Sequence, residues 1–294
     1  VTKSLSHLLI VTMVLSIFGA VITAPVSAQG ASVQQTYTVA VVDFVNESRV
    51  QGELLARMAT DAVVLEMSKM NRYDVSFTRN QIKAEMDKLD LRPPLNREGL
   101  VRLGDSLSAD ALIQGSLVKI GFTGQGANRT ANVTLAVQMV DRASGEIING
   151  ALQNGQSSAR VGFTADDDTL LTEAINSAAY LAVKQIADYV IPEATIHNNL
   201  GVDQVILNKG ARQGIKLGMR LIVLRNKEII GYIQVTRLAP NDATCKVLKS
   251  LRGIQPEDKV RAIYDMPAVA PSLKSEPLPS GAPASSKTGK SAIQ

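Results

Sequence analysis

Hydrophobic positions change their spacing along the chain, and each change predicts a different element. Residues 38–44 form a short apolar run rich in β-branched side chains, which predicts a buried strand. Apolar residues then recur at helical spacing as far as Met70, and a second strand is expected at 73–77. Two further helices are expected after Thr78 and Asn96, because both residue types are common N-caps.

The middle of the chain has the pattern of an antiparallel meander followed by a helix. Strands are expected at 109–120, 132–141 and 146–158, the second with clear alternation of apolar and polar residues. The acidic run 166–168 then begins a long helix that ends before Pro192. This order of elements predicts an α+β fold, in which helices pack on a mixed sheet that contains an antiparallel meander.

The pattern changes again near residue 197. Short apolar strands alternate with Gly, Asn and Asp turns, many at spacings of roughly 8–12 residues, which predicts a small all-β barrel or sandwich. The expected strands lie at 204–207, 220–224, 229–237, 244–248 and 259–264. Glycines 210, 214 and 218 are interpreted as turn residues with positive φ, and Asn226-Lys227 as a hairpin turn.

The first 28 residues have the pattern of a cleavable secretory signal. Lys3 supplies the positive end, residues 8–22 are almost wholly apolar, and small residues follow Pro25. Cleavage is expected after Ala28. An uncleaved membrane anchor is the alternative, although the apolar run is short for a membrane span. No cysteine lies near the cleavage site, so we expect an exported chain that is not lipidated at its N-terminus.

Together these patterns divide the chain into five parts. A signal peptide (1–28) and a disordered leader (29–36) precede the α+β domain (37–196), and the β-domain (197–266) precedes a tail (267–294). The tail is rich in Pro, Ser, Ala and Lys and has almost nothing to bury, so it is expected to be disordered.

Charge is distributed unevenly between these parts. Residues 197–266 hold twelve Lys and Arg against six Asp and Glu, whereas residues 29–196 hold fifteen against twenty. This asymmetry favours an acidic partner for the β-domain, such as an anionic envelope polymer or lipid. A well-solvated basic face is the alternative. Nucleic acid is not expected as a partner, because aromatic residues are few and there is no Trp.

Few residues offer catalytic or metal-binding chemistry. His197 is the only histidine after the predicted signal, and Cys245 is the only cysteine. The thiol is expected to be buried and inert in a strand, and no disulfide can form within the chain. The acidic run 166–168 suits a helix start better than a calcium loop, which needs differently spaced ligands.

Two further features are weak candidates for ligand binding. Asp43 follows the first strand, where open sheets often bind ligands, but a turn residue at a strand end explains it equally well. The glycine-rich segment 121–126 lacks the Lys-Ser/Thr ending of a phosphate loop and is interpreted as a hairpin tip. We therefore assign no catalytic, cofactor-binding or metal-binding residue, and we expect a protein that is not an enzyme and has no cofactor.

Several of these segments together resemble a known family. The run Val39-Ala40-Val41-Val42-Asp43-Phe44, the strand entry Ala109-Asp110-Ala111 and the hairpin at 140–146 are similar to the periplasmic domain of the CsgG-like family, which includes the curli secretion channel. The resemblance covers roughly residues 37–191 and extends to the LpoB-like activators of penicillin-binding proteins. The segment 206–210, with Gly214 and Gly218, resembles the small β-domain that ends FlgT-like proteins.

The resemblance implies a non-enzymatic envelope assembly or secretion-accessory protein that acts through protein contacts, often as an oligomer. A subunit of a curli-type outer-membrane channel is one alternative, and a periplasmic ligand-binding or hydrolytic enzyme is another. The chain departs from the channel, which is a lipoprotein with two membrane-spanning hairpins per subunit. Only residues 132–158 could supply such a hairpin here, and they include the polar residues Gln138, Asn149 and Gln153.

Overall fold

The computed structural model describes residues 36–48, 50, 52–160 and 165–267. The predicted signal peptide, almost all of the leader and almost all of the tail lie outside these residues. The fold is α+β followed by an all-β barrel, as predicted. The elements of the α+β part are β1 (Tyr37–Val41), β2 (Val45–Asn46), α1 (Gly52–Ser68), β3 (Tyr73–Asp74), α2 (Arg79–Lys88), α3 (Arg97–Leu107), β4 (Ala111–Thr123), β5 (Thr130–Asp141), β6 (Ile147–Gln156) and α4 (Asp167–Asp188).

The sheet is mixed, and its strand order is β3-β1-β4-β5-β6. β1 runs parallel to both β3 and β4, whereas β4, β5 and β6 form the predicted antiparallel meander. The short β2 continues the path of β1 and pairs in parallel with β4, placing Val45 opposite Ser116. The first strand, the meander and the long last helix are confirmed. The second strand is shorter than expected, because only Tyr73 and Asp74 pair with β1.

One face of the sheet is covered along its length by α1 and α4. Alternate residues of β4, β5 and β6 point into this layer and join the main apolar core, because successive side chains of a strand face opposite sides. The close approach of α4 requires Gly155, since a Cβ there would lie 2.3 Å from the backbone nitrogen of Ala178. The largest buried side chains of this core include Met67, Leu117, Leu135, Met139, Ile175 and Ile186.

The other face is covered only at one end, by α2 and α3. A smaller apolar core lies there, in which Val42, Leu112 and Val140 meet the helices. Thr78 and Asn96 are the N-caps of α2 and α3, as predicted, and each side chain accepts a hydrogen bond from a backbone N–H of the first turn. Beyond these helices, no described helix covers this face; most of its side chains are half-buried or exposed, but Thr134 is buried and Met266 lies against Gly150.

The barrel contains one more strand than the sequence pattern predicted. Its six strands close in the order β10-β11-β8-β7-β12-β9. The additional strand β7 follows Pro192 directly, and the predicted domain boundary at 196/197 falls inside it. The strands are β7 (Glu193–Leu200), β8 (Gln204–Leu207), β9 (Arg220–Arg225), β10 (Glu228–Leu238), β11 (Ala243–Ser250) and β12 (Lys259–Ala262).

Most of the predicted turn chemistry of the barrel is confirmed. Asn226 and Lys227 both have positive φ in the β9–β10 hairpin, and Gly214 and Gly218 have φ of 84° and 79°. The prediction for Gly210 is wrong, because its φ is −136°. Glycine is needed there for space, since a Cβ would lie 2.2 Å from the carbonyl oxygen of Ala239.

Charged and polar contacts join the barrel to the α+β part. The Arg261 guanidinium lies between two carboxylates, with Nη1 2.5 Å from Asp141 Oδ1 and Nε 2.6 Å from Glu193 Oε1. The Tyr264 N–H donates to the carbonyl oxygen of Ile147 on β6 at 2.7 Å. We call Arg261, Asp141, Glu193 and Tyr264 the junction.

Candidate functional site: a cleft on the open sheet face

A cleft of about 210 Å³ lies where the covered end of the second sheet face meets its open part. Its floor is formed by neighbouring residues of β4 and β5. Gln114 lies opposite Gln138, and Ser116 lies opposite Ala136. The two glutamine side chains contact each other, with Gln114 Nε2 donating to Gln138 Oε1 at 3.3 Å. We call this site the sheet-face cleft.

Its walls come from two different connections. One wall is the short β2 with the residues before it, including Val45, and the other is the α2–α3 connection, which contributes Pro93 and Pro94. Gly115 lets the Phe44 ring pack closely beneath the floor, because a Cβ there would lie 2.7 Å from the ring. The cleft therefore combines apolar walls with a neutral polar floor.

Asp43 lies at the rim of this cleft, where the sequence placed a weak ligand-binding candidate. Its carboxylate is bound by Arg79, whose Nε lies 2.7 Å from Asp43 Oδ1 and whose Nη2 lies 2.8 Å from Asp61 Oδ1. Burial alone would lower the pKa of Arg79, but hydrogen bonds to the two carboxylates raise it overall. The guanidinium is thus held charged between Asp43 and Asp61, and it fixes the rim of the cleft.

A second cavity of about 540 Å³ adjoins the first along β2. It shares Asp43, Val45 and Pro93 with the sheet-face cleft, and it extends to Glu53 and Arg57 in the first turns of α1. Because they share these lining residues, the two cavities form neighbouring depressions at β2.

The two residues with nucleophilic or acid–base chemistry do not meet. Cys245 is fully buried in the barrel core, as predicted, whereas His197 lies exposed on β7. Burial raises the pKa of the Cys245 thiol to about 12, which keeps it protonated at neutral pH. Among the described residues, no basic side chain lies against the Cys245 thiol.

The acidic and glycine-rich candidates are structural. Asp166 is the N-cap residue of α4, and Asp167 in its first turn pairs with Arg129 at 2.9 Å. Segment 121–126 carries the end of β4 and the tip of the β4–β5 hairpin, as predicted. Within the described ranges, no group of three or more His, Cys, Asp and Glu side chains is arranged to hold a metal ion. No helix in the described part of the chain is both long and apolar enough to cross a membrane.

Sequence analysis identified Asp43 but missed the floor and the proline wall of the cleft. Gln114 and Ser116 are polar residues on one side of a largely apolar strand, and Gln138 lies on a side of the next strand that also carries Asn132 and Thr134. This shared polarity was the available signal. This polarity alone does not predict a site, because only the strand register shows that these residues are neighbours.

Comparisons with solved structures give partial likenesses at low sequence identity and low TM-score. The PelC dodecamer from Paraburkholderia phytofirmans is 13% identical, with a TM-score of 0.36, over 53% of this chain and 90% of that chain. Lipoprotein GNA1162 from Neisseria meningitidis is 15% identical, with a TM-score of 0.35, over 46% and 90%. The LpoB C-terminal domain from Escherichia coli is 18% identical, with a TM-score of 0.33, over 43% and 86%.

No protein-family model and no curated protein matches the sequence. LpoB is one of the proteins that the sequence resembles, and its domain is among the similar structures. The resemblance to the curli channel and to FlgT stays a prediction, as does the absence of an N-terminal lipid. Similarity at this level does not assign a function.

Proposed function

We propose that this protein is a non-enzymatic accessory protein of the cell envelope that works by binding other proteins. The observation that carries the proposal is the sheet-face cleft. It is a depression at the boundary between the covered and open parts of the second sheet face, and it shares Asp43, Val45 and Pro93 with a second cavity at β2. A partner that enters this depression would bury the apolar walls, which favours association.

The chemistry of the cleft suits a polypeptide. Val45, Pro93 and Pro94 offer apolar contact, while the amides of Gln114 and Gln138 each carry both donors and acceptors. A peptide backbone also presents both, so neutral amides can pair with it in either direction. Asp43 is already bound by Arg79, whereas Glu47, which also lines the cleft, forms no ion pair with a described residue and suits a basic or amide group of a partner.

The place of action follows from sequence patterns. The signal-like segment 1–28 and the family resemblance both favour export to the periplasm or the outer membrane. Fractionation of expressing cells tests this part of the proposal, with mass spectrometry of the purified chain to define its N-terminus and any lipid. Recovery of the unprocessed chain in the cytoplasm would contradict it.

We also propose that the protein self-associates. The helical layer exposes large apolar side chains on α1 and α4, and such groups favour protein contact. The exposed residues are Leu54, Leu65, Tyr180 and Leu181. Size-exclusion chromatography with light scattering should give a mass above that of one chain, and a monomer at all concentrations would contradict self-association.

Affinity purification from the native envelope tests the cleft itself. We expect Ala136→Arg to abolish the recovery of specific partners, because a long charged side chain would fill the floor. Asn154→Arg is the matched control, since Asn154 is exposed on β6 outside the cleft lining and the charge change is the same. Equal partner recovery by the two variants would show that the cleft is not the binding site.

A further inference from the structure

One end of the barrel exposes four aliphatic side chains to solvent. Val202, in the β7–β8 turn, is 92% exposed, and the other three are each about half exposed. Exposed apolar groups that cluster in this way mark interaction surfaces more often than isolated ones do. With two exposed lysines of β11 they define the barrel tip, which consists of Leu200, Val202, Leu248, Leu251, Lys246 and Lys249.

Strand register brings the members of the barrel tip together. Leu200 pairs with Gln204 across the β7–β8 hairpin, and Gln204 pairs with Lys246 on β11. The Val247 N–H donates to the Asp203 carbonyl oxygen at 2.8 Å, so the next residues of β11 lie beside the β7–β8 turn. The aliphatic side chains therefore lie on turns and strand ends, with Leu251 placed beside β10 by the hydrogen bond from its N–H to the Ile230 carbonyl oxygen.

The β7–β8 end of the barrel tip lies away from the junction, whereas Lys249 pairs across β10 with Tyr232, whose hydroxyl accepts a hydrogen bond from Arg97 of α3. β7 begins at Glu193, which binds Arg261, and runs away from that contact to Leu200. Eight strand residues span roughly 25 Å. A partner at the β7–β8 turn would thus leave the Arg261–Glu193 contact accessible.

The charges around the barrel tip favour an anionic partner. Lys246 and Lys249 are exposed and form no ion pair with a described residue, whereas Arg252 is paired with Glu228. Asp203 is the acidic residue within the β7–β8 turn. Region 197–266 as a whole has twice as many basic as acidic residues.

We propose that the barrel tip binds the surface of an anionic lipid bilayer. Aliphatic side chains flanked by lysines suit the boundary between head groups and acyl chains, where both kinds of group are stabilised. An anionic polymer would use the lysines but leave the aliphatic groups in water. The inference rests on one part of the proposed function, the export that would bring the chain to a membrane.

Vesicle co-sedimentation tests the proposal directly. The processed protein, with the absence of residues 1–28 checked by mass spectrometry, is mixed with vesicles of phosphatidylcholine alone or with 30 mol% phosphatidylglycerol added. We expect at least tenfold more binding to the anionic vesicles and a clear decrease as salt is raised, because the lysines supply the electrostatic part. No binding to anionic vesicles would overturn the proposal.

Two tip variants and one control assign the binding to the barrel tip. Val202→Ser with Leu248→Ser should reduce vesicle binding at least fivefold, and Lys246→Gln with Lys249→Gln should remove most of the salt dependence. Leu217→Ser should bind as the unaltered protein does, since Leu217 is 66% exposed in the loop before β9, outside the barrel tip. Circular dichroism melts confirm that each variant is folded. Binding that persists in both tip variants would contradict the assignment.

The outcome separates this inference from the proposed function. The Ala136→Arg variant should lose its protein partners but still bind vesicles, and the tip variants should show the reverse. Binding to a soluble anionic polysaccharide that equals vesicle binding, and is unaffected by Val202→Ser with Leu248→Ser, would indicate a polymer site and overturn the lipid assignment.

Discussion

Arg261 of β12 and Asp141 at the end of β5 form an ion pair of 2.5 Å that joins the barrel to the α+β sheet. The pair is largely shielded, with 17% of the arginine side chain and 4% of the aspartate side chain exposed. Burial opposes the charged form of Arg261, but Glu193 and Asp141 raise its pKa overall. The Asp141 carboxylate also accepts hydrogen bonds from the backbone and hydroxyl of Ser144, so one side chain shapes the β5–β6 turn and binds the barrel.

Removing the arginine from this pair should destabilise the protein strongly. We expect Arg261→Met to lower the free energy of unfolding by about 3–5 kcal/mol, because it leaves a buried carboxylate without its partner. Urea denaturation measures the change. Arg252→Met is the control, since its pair with Glu228 is exposed and should contribute about 0–1 kcal/mol. Similar losses in the two variants would contradict a special role for the junction.

Alkaline pH should destabilise the fold through two buried groups. Burial and then the nearby Glu193 raise the pKa of Tyr37 from 10.0 to about 12, and burial raises the pKa of Cys245 from 9.0 to about 12. The folded chain keeps these protons while the unfolded chain loses them. Their contribution to stability is therefore complete below pH 9 and is lost as the pH rises towards 12.

The cysteine part of this effect is separable. Between pH 9 and 10 the thiol titrates more than the phenol in the unfolded chain, so Cys245→Ala should flatten the decline in that window by about 1 kcal/mol and leave the smaller part due to Tyr37. The free energy of unfolding at several pH values, under reducing conditions, measures the slope. Because the alanine also leaves a small cavity, only the slope is compared. An unchanged slope would show that the thiol does not contribute.

Gly210 should resist substitution even though its φ is ordinary. A Cβ would lie 2.2 Å from the Ala239 carbonyl oxygen and 2.6 Å from that of Asp242, both of which are backbone atoms. We expect Gly210→Ala to cost about 1–3 kcal/mol in urea denaturation, as other overpacked sites do. Gly121→Ala is the control, because nothing lies within 4 Å of its Cβ position. Equal stability of the two variants would contradict the close packing of this loop.

The sequence predicted local features well and contacts between distant segments poorly. The caps at Thr78 and Asn96 and the turn at Asn226-Lys227 follow from side-chain and backbone chemistry within a few residues. β7 was missed because its residues after Pro192 are largely polar. One of its partners, β8, is the next strand in the sequence, whereas the other, β12, is the last strand of the barrel. Barrel closure decides its conformation, and no local pattern reports that.

The candidate site shows the same division. Asp43 was identified because a residue at the end of a strand is visible in the sequence. Its pairing with Arg79 and the meeting of Gln114 with Gln138 depend on how elements pack, so they emerged only from the structure. The uneven charge of the two parts was evident from the sequence. The aliphatic groups of the barrel tip are separated along the sequence, so they were not recognised as one surface.

Site-specific photo-crosslinking in the native envelope tests the central claim most directly. A photoreactive residue in place of Gln138 lies in the cleft, and one in place of Asn154 lies on the same sheet face outside the cleft lining. The account predicts a discrete adduct between the Gln138 position and one envelope protein, identified by mass spectrometry. That adduct should be absent at Asn154 and should disappear when Ala136→Arg is added. No adduct at Gln138, or the same adduct at both positions, would contradict the claim that the cleft binds a protein partner.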